Sequence, residues 1–226
     1  MSLSAVNKLV IFDCDGTLTD GQAAVCTAMD AAFAEAGLPA PDPHQVRRIV
    51  GLSLPQAVAR LAPQADEAAQ VEAVAAYKAA FRAARMEGSL HEPLFPGLGE
   101  LVRALHKGGW QLAVATGKSD RGTQSTLAVH GLRECFASLQ TADRHPSKPH
   151  PAMLLAAMAE TRTDPAQAVM VGDTVYDMEA ARAAGVRAIG VGWGYHEPHE
   201  LLAAGAVAVA MTAAELKDLI DEHPDT

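Results

Sequence analysis

A run of four β-forming residues without polar alternation, Leu9–Phe12, constrains the fold more than any other stretch of this chain. Such a run suits a strand that is buried on both faces, as in a parallel sheet covered by helices. Asp13 and Asp15 follow it directly, and Gly16 then turns the chain. Ligands bind at the carboxyl ends of strands in open α/β sheets, so the aspartates stand where a site is expected. Because two close carboxylates repel each other, their burial would require a metal ion or a shared proton; a polar turn that caps the next helix is the alternative.

An alanine-rich segment separates this strand from the other predicted strands. From about residue 21 to residue 88 the apolar residues recur at helical spacing, and we predict only helices there. The remaining strands are predicted at residues 110–116, 135–141, 168–171, 187–191 and 206–211, with helices between them. This alternation predicts an α/β fold with a doubly wound parallel sheet, similar to a Rossmann fold. We divide the chain into a core of residues 1–16 and 92–226 and an inserted all-helical cap of residues 17–91.

Composition excludes several classes of function. The net charge of −9 argues against nonspecific binding of nucleic acid, which needs a basic surface. No apolar run approaches the roughly 20 residues of a membrane span, and no basic-then-apolar signal segment precedes the first strand. The three cysteines are scattered and odd in number, which favours a reducing compartment. We therefore expect a soluble cytoplasmic protein with no nucleic-acid or membrane partner.

Three predicted strands end in polar loops that would meet at one rim of the sheet. The rim would carry four acids, a hydroxyl and, from a proline-rich loop, an ammonium: Asp13, Asp15, Asp173, Asp177, Thr116 and Lys148. Carboxylates suit Mg²⁺, which prefers oxygen ligands, and a hydroxyl with backbone N–H groups at a helix start suits a phosphoryl group. An ammonium can neutralise both a nucleophile and a transferring group. Each residue alone is more often structural, but their joint placement is hard to explain by packing.

These residues stand in four ordered motifs that resemble those of the haloacid dehalogenase-like hydrolase superfamily. The motifs are residues 13–17, 115–117, 148–151 and 171–177. The helical segment after the first motif resembles the cap of the phosphoglycolate phosphatase-like branch. The resemblance implies a Mg²⁺-dependent phosphatase that acts on a small phosphorylated metabolite similar to phosphoglycolate, and it leaves monomer and homodimer open.

The resemblance also implies how the phosphoryl group is handled. Asp13 would attack phosphorus and form an aspartyl-phosphate. Asp15 would protonate the leaving alkoxide and then activate water. Thr116 and the backbone of Gly117 would hold phosphoryl oxygens, and Lys148 would steady Asp13 and the phosphate.

For the metal, the resemblance implies Mg²⁺ held by the Asp13 carboxylate, the Asp15 carbonyl and Asp173. Asp177 would be either a further ligand or an anchor outside the ligand set. Dehalogenases of the superfamily lack the second aspartate, so Asp15 favours phosphate esters. A sugar phosphomutase uses the same aspartate pair and stays open, although Thr17 tilts modestly toward a phosphatase. A non-catalytic binding module on the same fold is the third alternative.

Substrate choice is expected to lie in the insertion. Residues 51–54, which begin with Gly51, form the predicted specificity loop, and Arg47 and Arg48 lie on the helix before it. An arginine there could bind a substrate carboxylate in bidentate fashion. A solvated helix face is the alternative for at least one of the two.

Other reactive side chains are predicted to have no catalytic part. Cys14 lacks the following arginine of a cysteine phosphatase loop and is predicted to be a small apolar residue. Lys118, His196 and His199 are predicted to face solvent.

Overall fold

The six strands form one sheet in a computed structural model, which describes residues 8–222. They are β1 (Leu9–Phe12), β2 (Gln111–Thr116), β3 (Ser138–Thr141), β4 (Ala168–Gly172), β5 (Arg187–Val191) and β6 (Ala208–Ala210). Their order is β3-β2-β1-β4-β5-β6, and every pair is parallel. The predicted parallel α/β fold is therefore confirmed. The ends of the predicted core, at residues 1 and 226, lie outside the described residues.

Ten α-helices accompany these strands within residues 8–222. Four lie between β1 and β2: α1 (Gln22–Glu35), α2 (Pro43–Arg48), α3 (Leu54–Leu61) and α4 (Glu67–Glu87). The other six are α5 (Leu98–Lys107), α6 (Asp120–Val129), α7 (Ala152–Thr161), α8 (Val175–Ala184), α9 (Pro198–Ala204) and α10 (Ala213–Asp221). Among residues 8–222, no helix combines the length and the apolar composition that a membrane span requires.

The central strand packs apolar side chains on both faces, as its sequence predicts. Val10 and Phe12 join one buried cluster, and Leu9 and Ile11 join another on the opposite face. Side chains alternate between faces along a strand, so four successive apolar residues fill two layers of core. The strand order reverses between β1 and β4, which is where open α/β sheets bind ligands.

The helical insertion has a core of its own, built from residues such as Val25, Phe33 and Val58. Its two connections to the sheet run side by side, because Thr19 and Leu94 form an antiparallel bridge. The helices span residues 22–87. The proposed boundaries at residues 17 and 91 stay a prediction.

The third strand differs from its prediction. It begins at Ser138, three residues later than predicted, and residues 133–135 form a short 3-10 helix instead. Ser138, Gln140 and Thr141 are polar yet buried, so the strand carries little apolar signal. The edge strand β6 is likewise shorter than the predicted residues 206–211.

Candidate active site

Three buried aspartates meet where β1 and β4 end. Asp13 follows β1 and Asp173 follows β4, and the two strands are hydrogen-bonded neighbours. Asp177 comes from the first turn of α8. One oxygen of each carboxylate lies within 4.8 Å of the others, and all three residues are buried. The sheet therefore brings together acids that are up to 164 positions apart in the sequence (177 minus 13).

A single ammonium contacts two of these acids. The Nζ of Lys148 lies 2.9 Å from Asp13 Oδ2 and 2.6 Å from Asp177 Oδ1, and it donates to the Ala115 carbonyl oxygen at 3.1 Å. Lys148 is fully buried. Burial raises the pKa of Asp13 to about 7 although Lys148 opposes the shift. Burial, and then Asp177 and Asp13, raise the pKa of Asp173 well above its ordinary value. One cation does not balance three buried carboxylates.

The donor chemistry of this cluster fits a divalent cation. Asp13 Oδ2 is buried and accepts no hydrogen bond from the described residues, although Lys148 is nearby. Asp173 accepts from the Thr17 hydroxyl at 2.6 Å and from the Tyr195 N–H at 2.9 Å. An all-oxygen donor set with surplus negative charge suits Mg²⁺.

Asp177 has its oxygens engaged by protein groups. Oδ1 accepts from Lys148, and Oδ2 accepts from the Thr174 N–H at 3.0 Å and the Thr174 hydroxyl at 2.7 Å. These bonds also close the first turn of α8 as a capping box. Asp177 thus accepts from three donors, one of them an ammonium, whereas Asp173 accepts from two neutral donors. This difference favours Asp177 as an anchor outside the ligand set rather than as a direct metal ligand.

The second aspartate of the first motif is held by a buried lysine. Lys118 Nζ lies 2.8 Å from Asp15 Oδ1 and 2.7 Å from Glu92 Oε1, and its side chain is only 9% exposed. Although burial opposes the charge, Asp15 and Glu92 raise the pKa of the Lys118 ammonium above its ordinary value. Lys118 also lies over the ring of Phe81 in the insertion. The prediction that it faces solvent is wrong, because both of its acidic partners come from distant parts of the sequence.

A cavity of about 390 Å³ opens between this rim and the insertion. Asp13, Asp15, Thr116, Gly117 and Gly51 are among its lining residues. A Cβ atom at position 117 would lie 2.3 Å from the Leu52 carbonyl oxygen, so the insertion approaches this turn as closely as a glycine allows. Five of the predicted site residues therefore share one cavity.

The family model of the haloacid dehalogenase-like hydrolases matches residues 10–191. The chain belongs to this family. The probable phosphatase IndB of Dickeya dadantii (strain 3937) is 37% identical over 217 residues, which cover 93% of this chain and 92% of IndB. A phosphoglycolate phosphatase of Pseudomonas syringae pv. tomato is 34% identical over 192 residues, covering 84% of this chain and 71% of that relative. The predicted family is confirmed, and this hydrolase acts on phosphoric monoesters.

Two further comparisons bear on fold and activity. The crystal structure of a predicted phosphatase from Clostridium acetobutylicum superimposes with a TM-score of 0.85 at 25% identity, covering 96% of this chain and all (100%) of that chain. The tyrosine-protein kinase PtkA of Mycobacterium tuberculosis is 34% identical over 83% of this hydrolase, which spans 63% of PtkA. The relatives are therefore named for different activities, phosphatase and kinase, both of which transfer phosphoryl groups.

The insertion of this hydrolase is anchored to the core through α2 and α3. Arg48 makes a bidentate ion pair with Glu200, with both N–O distances 2.7 Å. The Ser53 N–H donates to the Ser147 hydroxyl at 2.7 Å. Arg48 is thus occupied by a core acid. Arg47, a candidate for binding a substrate carboxylate, does not line the cavity.

His196 is buried at the same junction and does not face solvent, so that prediction is wrong. Its Nδ1 accepts from the Val175 N–H at 3.2 Å, which leaves Nε2 to donate to the Arg48 carbonyl oxygen at 3.1 Å. Burial lowers the pKa of His196, and an imidazole with one accepting nitrogen is the neutral form. Its neighbour His199 is exposed, as predicted, and Cys14 is a buried core residue, as predicted.

Proposed function

We propose that this hydrolase releases phosphate from a small phosphorylated metabolite in a Mg²⁺-dependent reaction, with the phosphoryl group held transiently on Asp13. The observation that carries the proposal is the buried Asp13, Asp173 and Asp177 cluster around Lys148, with Asp13 also lining the cavity. Asp15 and Thr116 line the same cavity, so the acid and the phosphate-binding hydroxyl would meet the substrate from one side.

In the first step, a carboxylate oxygen of Asp13 attacks phosphorus and the bond from phosphorus to the ester oxygen breaks. Asp15 gives its proton to the leaving alkoxide. The Cys14 N–H holds Asp13 Oδ1 at 2.7 Å, which orients the nucleophile. Lys148 offsets the negative charge that Asp13 and the phosphoryl oxygens bring together.

In the second step, a water molecule attacks the phosphorus of the aspartyl-phosphate. Asp15, now a carboxylate, takes a proton from that water. Inorganic phosphate leaves, and the Asp13 carboxylate is restored. Asp15 must therefore carry a proton in one step and lack it in the next, and its side chain reaches the cavity with 15% of its surface exposed.

The residues that would hold Mg²⁺ are the Asp13 and Asp173 carboxylates and the Asp15 carbonyl. The ion would neutralise carboxylate and phosphoryl charge at this site. Asp177 would position Lys148 rather than bind the ion, given its hydrogen bonds to Lys148 and Thr174.

The proposed setting is cytoplasmic, because all three cysteines of the chain are free thiols. The proposed substrate class is a small phosphorylated metabolite such as phosphoglycolate, by analogy with the named relatives. We retain both monomer and homodimer as predictions.

The test is phosphate release from p-nitrophenyl phosphate and a panel of phosphorylated metabolites, with Mg²⁺ and with EDTA. We expect release that needs Mg²⁺ and that falls at least about 10³-fold in Asp13→Asn. Asp30→Asn, which removes an exposed carboxylate on α1, is the matched control and should retain activity. Release that survives Asp13→Asn would refute the mechanism, and isomerisation of a hexose 1-phosphate with little release would indicate a phosphomutase instead.

A further inference from the structure

The wall of the cavity that faces the catalytic rim carries a row of basic side chains on α4. Lys78, Arg82 and Arg85 all line the cavity. They are four and three positions apart, which puts them on one face of a helix. Arg121, from the first turn of α6, lines the cavity from the core side. We call these four residues the cationic row.

The charged groups of the cationic row have no protein partner among the described residues. Within residues 8–222, none of the four charged groups has an ion pair or a hydrogen bond. Other bases of the chain do find acids: Arg48 pairs with Glu200, and Arg144 pairs with Asp120. The whole chain carries a net charge of −9. A group of unpaired cations at one cavity is therefore opposite in sign to the net charge of the protein.

Two members of the cationic row repel each other along α4. Like charges four residues apart repel each other on a helix surface, and this spacing joins Lys78 to Arg82. Arg85 is half-buried, whereas Lys78 and Arg82 are exposed at the opening. A bound anion would relieve the repulsion that the sequence otherwise builds in.

Apart from the cationic row and the rim, the cavity is partly apolar. Val25, Met29 and Leu54 line it, together with the rings of Tyr77 and Phe81, whose centroids lie 4.9 Å apart. A volume of about 390 Å³ falls in the range of sites for small organic molecules. The cavity therefore offers a rim for the phosphoryl group, apolar side chains for carbon, and cationic side chains from α4 and α6.

We propose that the substrate's leaving group carries a second anionic group, a carboxylate or a second phosphoryl group, which the cationic row binds. This inference rests on the proposed function and specifies its substrate class. Its recognition comes from α4 and Arg121 rather than from the predicted specificity loop. The carbon skeleton between the two anionic ends packs on Tyr77 and Phe81.

The test compares esters that differ in the distal group. One pair is 3-phosphoglycerate and glycerol 3-phosphate, and the other is fructose 1,6-bisphosphate and fructose 6-phosphate. For the wild type we expect kcat/KM to be at least about tenfold higher for one or both doubly anionic esters, equivalent to about 1.4 kcal/mol. The first pair reports a carboxylate and the second a phosphoryl group. The preference should shrink as salt is raised, because exposed charges are screened.

The variants are Arg82→Gln and Arg85→Gln. Each should reduce the preference at least about fivefold, chiefly through KM, since a distal contact present before and during reaction acts mainly on binding. Lys107→Gln removes the same charge from an exposed site at the end of α5 and should leave the preference unchanged. Equal kcat/KM within both pairs, or a preference that survives both arginine variants, would overturn the inference. Wild-type release of p-nitrophenol separates that failure from failure of the proposed function, which predicts such release whatever the distal group.

Discussion

Replacing Lys148 with methionine is the sharpest test of how the buried acids are held. Methionine keeps much of the length and volume of the side chain and removes only the ammonium. Lys148 is fully buried and contacts Asp13 at 2.9 Å and Asp177 at 2.6 Å. Removing one partner of a buried ion pair costs about 3–5 kcal/mol. We expect the free energy of unfolding to fall by about 4 kcal/mol at pH 8, because two carboxylates lose the same partner.

The loss should depend on pH in a definite direction. Burial raises the pKa of Asp13 from 3.8 to about 7 even with Lys148 present, and without the lysine this pKa rises further. A carboxyl group whose pKa is higher in the folded than in the unfolded protein stabilises the fold at low pH. That contribution is lost as the pH rises from 3.8 through the pKa of the folded state. The variant should therefore be closer to the wild type at pH 5 than at pH 8.

The assay is urea unfolding followed by circular dichroism at pH 5 and pH 8, in EDTA. Lys217→Met is the control, since it breaks an ion pair with Asp221 whose side chains are about half exposed (49% and 47%), and it should change nothing measurable. A Lys148→Met protein within about 1 kcal/mol of wild type at both pH values would contradict the reasoning. A larger loss at pH 5 than at pH 8 would contradict its sign.

Three further predictions follow from described contacts. Asp15→Asn should slow phosphate release from alkyl phosphates by about 10²–10⁴-fold. The first step with p-nitrophenyl phosphate should be spared, because that leaving group needs no proton, so intact mass spectrometry should detect phosphorylated protein. If no phosphorylated protein forms with the nitrophenyl ester, Asp15 is not the acid. A double-mutant cycle on Arg48→Ala and Glu200→Ala should give about 1 kcal/mol of coupling in urea unfolding at pH 7, since the pair is about one-third exposed (34% and 27%). Arg48 lowers the pKa of Glu200 from 4.5 to about 2, so this coupling is present above pH 4.5 and should disappear as pH falls through 2; a coupling that persists below pH 2 would argue against the ion pair. Tyr195→Phe should leave thermal stability unchanged or slightly raised, because its buried hydroxyl has no hydrogen-bond partner within the described residues; a marked drop in Tm would reveal a partner for that hydroxyl.

The fold was largely predictable from local pattern. The apolar run Leu9–Phe12 predicts the central strand because all four side chains enter core layers. The amphipathic helix α5 begins and ends where its glycines predict, at residues 98 and 107. The β3 strand was less predictable because its buried positions include Ser138 and Gln140, whose polar atoms bond to each other.

The site was predictable where its chemistry is encoded in short motifs and not where it depends on distant partners. Asp13, Asp173 and Asp177 follow from strand ends that share one edge of the sheet. The burial of Lys118 depends on Asp15, 103 residues away, and on Glu92, 26 residues away, so no local pattern predicts it. The burial of His196 also depends on a distant partner, because its ring contacts the Arg48 carbonyl oxygen at the end of α2.

The helical insertion meets the core along one side and encloses the cavity along another. Within residues 22–87, the groups that donate hydrogen bonds to core side chains belong to Arg48, Ser53 and Arg60, on or beside α2 and α3. The basic face of α4 makes no such bond within residues 8–222. The hydrogen-bonded attachment to the core and the proposed binding of a second anion therefore lie on different helices of one small bundle. For protein engineering, α4 can be given a new set of cavity side chains to accept other esters while the attachment that closes the cavity is left as it is.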